Sequence, residues 1–194
     1  MDRKLRMGMI GGGNGAFIGA IHRAAALMDK IELVCGCFSS RPDVSLASGR
    51  EYFLSDDRIY ASFREMIDRE AALPEGVRMD FVSIVTPNFF HFEPAMAALD
   101  RGFDVVLDKP MTYSHDEAYR LREKIRETGR TLALTHTYSG YPAVKEARER
   151  VASGVFGKIR KIYVEYPQGW LSDRAELQPG SNAGWRTDPA RAGK

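Results

Sequence analysis

The chain of 194 residues balances 28 lysines and arginines against 26 acidic residues, with 44% hydrophobic and 28% charged residues. A net charge of +2, scattered along the chain, offers no basic tract for nucleic acid or an anionic membrane, so neither is expected as a partner. No apolar run approaches the roughly 20 residues of a membrane span, and the apolar stretch after the basic N-terminus is too short for a signal peptide. A cytoplasmic protein is therefore expected. Two cysteines, Cys35 and Cys37, exclude a disulfide scaffold and have the wrong spacing for a metal site. They read as small buried strand residues, and no metal is expected.

Short apolar runs alternate with helical stretches, the pattern of a parallel sheet with crossover helices. Leu5–Ile10 is expected as the first strand, Phe17–Met28 as the first helix and Ile31–Phe38 as the second strand. Phe63–Ala72 reads as a helix before the turn at Pro74–Gly76. Asp80–Val85 reads as a strand that Thr86–Pro87–Asn88 ends, because proline cannot continue a ladder. Pro94–Arg101 is a helix closed by Gly102, and Asp104–Leu107 is a strand ended by Asp108–Lys109–Pro110. Ser114–Thr128 is a helix with a capping box, Ser114 followed by Glu117, and Gly129 stops it. Thr131–Thr135 is the next strand and Tyr141–Ser153 the next helix, stopped by Gly154.

The character then changes. Lys158–Tyr166 alternates polar and apolar residues, as an antiparallel strand with one wet face would, and suggests a second domain. After Trp170 no regular element is legible, and a lone strand with an irregular tail cannot build a core. The expected fold is α/β, a Rossmann-type doubly wound parallel sheet, followed by the start of a truncated α+β domain. The expected boundaries are 1–140 for the dinucleotide-binding domain and 141–194 for the incomplete second one. A tail wrapping back over the first domain is the alternative to a fragment of a longer protein.

Gly11–Gly12–Gly13–Asn14–Gly15–Ala16 lies directly between a predicted strand and a predicted helix. It satisfies Gly-x-Gly-x-x-Ala: Gly11 for the tight turn, Gly13 for close approach of a pyrophosphate, Ala16 for helix packing. The helix N-terminus beyond it offers free N–H groups to phosphates. A plain glycine-rich turn, or the methyl-donor loop of a methyltransferase on a related sheet, are the competing readings. NAD specificity usually shows as an acidic residue at the end of the second strand. That place holds Phe38, followed by Ser39, Ser40 and Arg41, two hydroxyls and a guanidinium suited to a 2′-phosphate. The expected cofactor is NADP or NAD, with NADP favoured. The same residues with Pro42 also suit a simple turn.

In a doubly wound sheet ligands bind beyond the carboxyl ends of the strands. Three such ends carry unusual residues: Thr86–Pro87–Asn88 with His91, Asp108–Lys109–Pro110, and Thr135–His136–Thr137–Tyr138. Lys109 follows an apolar strand, where a partly desolvated ammonium suits proton transfer or polarising a carbonyl. A solvated surface charge is the ordinary reading of such a lysine.

Together these segments resemble the glucose–fructose oxidoreductase, inositol dehydrogenase and rhizopine catabolism family, written Gfo/Idh/MocA. The resemblance rests on Met9–Gly19 with His22, Val85–Asn88 with His91, Asp108–Lys109–Pro110, and His136–Pro142. Tyr166–Pro167–Gln168 and Trp185–Pro189 resemble one sugar-active branch. It implies an NAD(P)-dependent dehydrogenase or reductase acting on a sugar, a polyol or a derivative. It also implies a second domain that packs on the first and often mediates homo-oligomers. Lys109 is implied as the catalytic residue with Asp108, in place of the family's glutamate, tuning it. The dinucleotide is implied to meet Gly11, Gly13, Asn14, Ala16, Phe17, Ile18, Ser39, Ser40, Arg41, Thr86, Pro87, Asn88, His91 and Lys109. His136, Tyr138, Trp185 and Arg186 are implied on the substrate side. Gly19 precedes His22 at the family spacing that Ala16 does not keep, so the loop reads as about three residues longer than the short form. His22 and His115 read as helix-start residues. The family's second-domain aspartate and histidine have no counterpart up to Lys194, so the chain alone is expected to bind cofactor rather than turn over substrate. A non-catalytic dinucleotide sensor is the rival function.

Overall fold

The computed structural model describes residues 3–28, 30–167, 169, 172–178 and 187–189. The chain divides into two compact units, Met1–Thr135 and His136–Lys194.

The first unit is a five-stranded parallel sheet. Its strands are β1 (Leu5–Gly11), β2 (Ile31–Cys37), β3 (Phe81–Val85), β4 (Asp104–Leu107) and β5 (Leu132–Leu134), in the spatial order β2-β1-β3-β4-β5. The order reverses between β1 and β3, which makes the carboxyl ends of those two strands the topological switch point. Beyond β2, Ile59 forms a single parallel bridge with Gly36, and the Tyr60 N–H donates to Gly36 O. A sixth strand is thus reduced to one bridge at the outer edge.

Five helices belong to this unit: α1 (Phe17–Met28), α2 (Pro42–Glu51), α3 (Phe63–Ala72), α4 (Phe92–Asp100) and α5 (His115–Thr128). Alternation along β1 assigns the two faces. Met7 and Met9 join Ala26 of α1, Phe38 and Val85 in one core. Ile10 joins Met66 and Ile67 of α3, Ala95, Ala98 and Leu99 of α4, and Leu121 of α5 in the other. Both faces of the central strands are covered, as a parallel sheet requires. Caps follow the sequence: Ser62 accepts from Glu65 N–H, Ser114 from Glu117 N–H, and Gly129 closes α5 in the left-handed conformation at φ 65°.

On the α3 face Glu70 is buried, held by both guanidinium arms of Arg58 at 2.9 Å, the Tyr60 hydroxyl at 2.7 Å and the Met79 N–H at 2.9 Å. This cluster ties α3 to the edge of the sheet. Cys35 and Cys37 lie in the same core, and burial pushes the Cys37 thiol up to about 11, which leaves it a neutral core residue.

α2 has no counterpart in the hydrophobic pattern. Its buried side is Ser45, Ser48 and Gly49, small and polar residues that give no apolar periodicity. The buried hydroxyls are satisfied: Ser45 accepts from Phe38 N–H and donates to Tyr60 O, both at 3.0 Å. The Ser39–Pro42 segment is thus the entry to a helix, with Pro42 in its first turn.

The second unit holds a 3-10 turn at Thr137–Gly140, helix α6 (Pro142–Ala152) and a 3-10 turn at Ala175–Leu177. The strand expected over Lys158–Tyr166 is not formed; those residues are irregular and exposed. A strand exists through its ladder partners, and alternation of polarity alone supplies none. Among the described residues no helix is long and apolar enough to cross a membrane, and no cluster of His, Cys, Asp or Glu is placed to hold a metal.

Candidate functional site

The loop that leaves β1 turns through Gly11 and Gly12, both at positive φ, 82° and 73°. Such backbone angles suit glycine and strain other residues. The decisive contact is between Gly12 and Gly19 in the first turn of α1. A Cβ on Gly19 would stand 2.4 Å from Gly12 Cα, and one on Gly12 would stand 2.9 Å from Gly19 Cα. The close-packing role that the spacing gave to Ala16 therefore falls to Gly19, and the loop is longer by three residues. Ala16 instead closes the turn, its N–H donating to Gly13 O at 2.9 Å.

The loop is braced from behind by α1 and α2. Ser48 accepts from Asn14 N–H at 3.0 Å, and a Cβ on Gly13 would meet both Phe38 O and Ser48 Oγ inside 3.0 Å. Glu51 accepts from the Asn14 amide at 2.7 Å, and the Tyr52 hydroxyl donates to Asn14 Oδ1 at 3.1 Å. Arg23 donates to Gly12 O at 2.7 Å with its guanidinium 3.7 Å above the centre of the Tyr52 ring. Asn14, expected at the cofactor, thus directs its side chain toward α2. A depression of about 420 Å³ is lined by Gly13 to Phe17 with Arg23 and Tyr52. Phe17 and Ile18 begin α1, where the first-turn N–H groups have no intrahelical acceptor.

At the end of β2, Phe38 is buried, while Ser39, Ser40 and Arg41 lead into α2. Ser39 Oγ accepts from Arg41 N–H at 3.2 Å, and Arg41 pairs with Asp43 at 3.0 Å. The hydrogen bond from Arg41 holds the Asp43 carboxyl below its ordinary value.

The neighbouring strand ends carry the remaining residues. Thr86 follows β3 beside Gly11, and its buried Oγ1 has no hydrogen-bond partner among the described residues. Pro87 and Asn88 turn the chain into a short 3-10 segment, with Asn88 buried. Past β4, Asp108 N–H still donates to Ile84 O at 3.0 Å, and Asp108 Oδ1 accepts from Thr135 Oγ1 at 2.9 Å. Asp108 therefore engages β5, not its neighbour in sequence. Lys109 is exposed and follows the strand at a point where the chain has left the sheet. The Lys109–Pro110 peptide is cis.

Two histidines occupy places the pattern did not indicate. His22 is the sixth residue of α1, not a helix-start residue, and its Nδ1 lies 2.9 Å from Ser83 Oγ on β3. Burial lowers its pKa, with the nearby Asp108 charge opposing. His91 is 1% exposed, with both ring nitrogens against backbone carbonyls, Pro110 O and Thr86 O. His91 therefore lies beneath the crevice, not on its wall.

His136 and Tyr138 belong to the second unit. There the Tyr138 ring meets Tyr141 and Tyr166 edge to face at 5.4 and 5.5 Å. Trp185 and Arg186 lie outside the described residues. The sequence pattern missed Gly19 as the packing partner, and it missed Arg23, Ser48, Glu51 and Tyr52 altogether. The family spacing of Gly19 to His22 was the one available signal for the first. Ser48, Glu51 and Tyr52 arise from α2 and its C-terminal end, which the pattern did not reveal, while Arg23 lies on the expected helix α1.

A family model described as an oxidoreductase family with an NAD-binding Rossmann fold matches residues 5–136. The levoglucosan dehydrogenase of Pseudarthrobacter phenanthrenivorans is 26% identical over 98% of this chain and 47% of its own length. A crystal structure of an inositol dehydrogenase homologue from Azotobacter vinelandii complexed with NAD+ is 33% identical. It superposes with a TM-score of 0.91, covering 100% of this chain and 49% of that one. Its complex with NADH and myo-inositol is 34% identical with a TM-score of 0.77, covering 82% and 42%. The chain spans about half the length of the curated relatives it matches over its whole extent.

The Gly12–Gly19 contact yields a prediction with a diagnostic sign. Alanine in place of glycine inside a helix ordinarily stabilises by about 1 kcal/mol. Gly19→Ala instead places a Cβ against backbone, and urea unfolding should show a net loss of about 1–3 kcal/mol. Gly76→Ala, with open space around it, is the matched control and should change little.

Proposed function

The chain belongs to the Gfo/Idh/MocA oxidoreductase family of NAD-binding Rossmann proteins, and from that premise we propose that it carries the dinucleotide site and the reactive lysine of a sugar or polyol dehydrogenase. The reaction is the interconversion of a secondary alcohol and its carbonyl. The observation that carries the reading is that the glycine turn and the Lys109 loop leave the carboxyl edge of the same parallel sheet. The glycine turn follows β1, and Lys109 follows β4, with Thr86 at the end of β3 between them. In this reading residues 1–140 form the cofactor domain and 141–194 open the substrate domain, with His136, Tyr138, Trp185 and Arg186 on the substrate side. A homo-oligomer of the whole protein is part of the same reading.

The residues present fit a dinucleotide. The Cβ direction of Gly15 opens into empty space, so a phosphate can approach the loop backbone. Thr86 Oγ1 is an unsatisfied buried polar atom at the crevice, which a ligand's polar group would complete. When bound, the nicotinamide supplies or accepts the hydride. The chain's own groups bind and orient. The first-turn N–H groups at Phe17 and Ile18 hold the pyrophosphate, while Gly11, Gly13, Asn14 and Ala16 shape the loop beneath it. Thr86, Pro87 and Asn88 form the floor toward the nicotinamide, and His91 supports them from beneath. Lys109 donates a hydrogen bond to the reacting oxygen and stabilises the charge that gathers there. Asp108 anchors the lysine's backbone to β5 through Thr135. In this reading the proton released by the alcohol passes to a base on the substrate side.

For the dinucleotide we favour NAD(H). The Ser39–Ser40–Arg41 turn was expected to favour a 2′-phosphate, but the Arg41 guanidinium is already met by Asp43. The two inositol dehydrogenase homologue complexes carry NAD+ and NADH. Asp43→Asn removes the competing carboxylate, so the NADPH-to-NADH affinity ratio should rise about tenfold, the value of one charge-assisted hydrogen bond. An unchanged ratio in fluorescence titrations would take Arg41 out of the ribose site.

The lysine is tested in the full-length protein against a panel of sugars and polyols with NAD+. Lys109→Met should lower kcat by about 10²–10⁴-fold, the usual worth of a positioned acid or base, with NADH affinity nearly unchanged. Undiminished turnover would remove Lys109 from the mechanism.

A further inference from the structure

The Lys109 segment lies outside the sheet, yet two fixed points bracket it. On one side Asp108 N–H extends the ladder by donating to Ile84 O at 3.0 Å. On the other, Pro110 O lies 2.8 Å from His91 Nδ1. The opposite edge of the same ring, Nε2, lies 2.8 Å from Thr86 O at the end of β3. His91 is 1% exposed and sits between the 3-10 segment Asn88–Phe90 and α4, so its backbone is fixed by both. Carbonyl oxygens only accept, so a hydrogen bond to either one is made by a ring N–H.

We propose that His91 is a positioning residue that fixes the Lys109 loop to the end of β3. The ring stands between Pro110 O and Thr86 O, 2.8 Å from each across its own width. That sets the spacing between the strand end carrying Thr86 and the peptide that follows Lys109. The lysine itself is exposed, and the Asp108 carboxylate is engaged by Thr135. Its direction therefore depends on the backbone at either side, and one of those sides is held by His91. A backbone held in this way leaves only the side chain to arrange when substrate arrives, which lowers the cost of placing a catalytic group. The relevance of the brace to turnover rests on Lys109 being the reactive lysine; the brace itself does not.

The test separates the two ring edges. The amide nitrogen of asparagine falls near the place of Nδ1, and that of glutamine near the place of Nε2. His91→Asn should keep the bond to Pro110 O, and His91→Gln should lose it while keeping Thr86 O. Backbone ¹⁵N relaxation of this chain reads the result directly. Lys109 and Met111 should show order parameters of about 0.85 in the unsubstituted protein and in His91→Asn. In His91→Gln they should fall below about 0.6, with Val105 and Val106 of β4 unchanged. A loop that stays ordered in His91→Gln, or order lost equally across β3 and β4, would overturn the proposal. Ring ¹⁵N spectra of the unsubstituted protein keep the question open to decision if either variant fails to fold. They must show a proton on Nδ1, and a bare Nδ1 would overturn the brace. These measurements do not depend on Lys109 chemistry. Turnover surviving Lys109→Met would strike the lysine and leave the brace, while an ordered loop in His91→Gln would do the reverse.

Discussion

Everything at the carboxyl edge of the sheet depends on how closely α1 approaches the end of β1. Gly12 and Gly19 meet backbone to backbone, at a separation that leaves no room for one Cβ on either side. That contact seats the N-terminus of α1 at the switch point, where the sheet order reverses and the crevice opens. Helix N-termini carry unpaired N–H groups and a partial positive charge, so the approach also fixes where an anion will be welcome. The longer loop between the two glycines does not float. Arg23, Ser48, Glu51 and Tyr52 hold it from the side of α1 and α2, through Gly12 O and Asn14.

The other strand ends obey a related constraint. A parallel ladder stops where a residue lacks a partner, and here it is prolonged by single bonds: Asp108 to Ile84 O, Thr135 to Leu107 O. Side chains then take over from the ladder. Thr135 holds Asp108, and His91 joins Pro110 to Thr86. Beneath the same region His22 reaches Ser83 on β3, where burial lowers its pKa. Three loops from β1, β3 and β4 are thereby set by contacts inside one unit, and Lys109 stands out from them, exposed.

The sequence made the parallel sheet legible because its strands are apolar runs bounded by glycine and proline. Phe17–Met28, Phe63–Ala72 and Asp104–Leu107 carry the periods and punctuation that their structures require. α2 escaped because its inward side is Ser45, Ser48 and Gly49, and burial there is made by hydrogen bonds and close approach, not by apolar area. The apparent strand at Lys158–Tyr166 shows the opposite failure. Its alternation is that of a strand, but a ladder partner is a long-range property that no local pattern contains. The strand-end residues were legible as a set because chemistry-bearing types followed each apolar run. Their division of labour was not: His91 and Lys109 both looked like crevice residues, and only burial and hydrogen-bond partners separate the brace from the exposed ammonium. The Arg41–Asp43 pair was not legible, because Asp43 lies two residues past Arg41 on a helix the pattern did not show.

The central claim is that the glycine turn and α1 form a dinucleotide site that this chain already contains. The measurement that tests it most directly is a titration of the purified 194-residue chain with NADH, following nicotinamide fluorescence and displacement by ADP-ribose. The account expects saturable binding that ADP-ribose reverses, because pyrophosphate and ribose contacts lie within the first unit. It also expects binding to be lost in Gly19→Val, where a larger side chain drives α1 away from Gly12. Absence of saturable binding, or binding that Gly19→Val leaves intact, would contradict it.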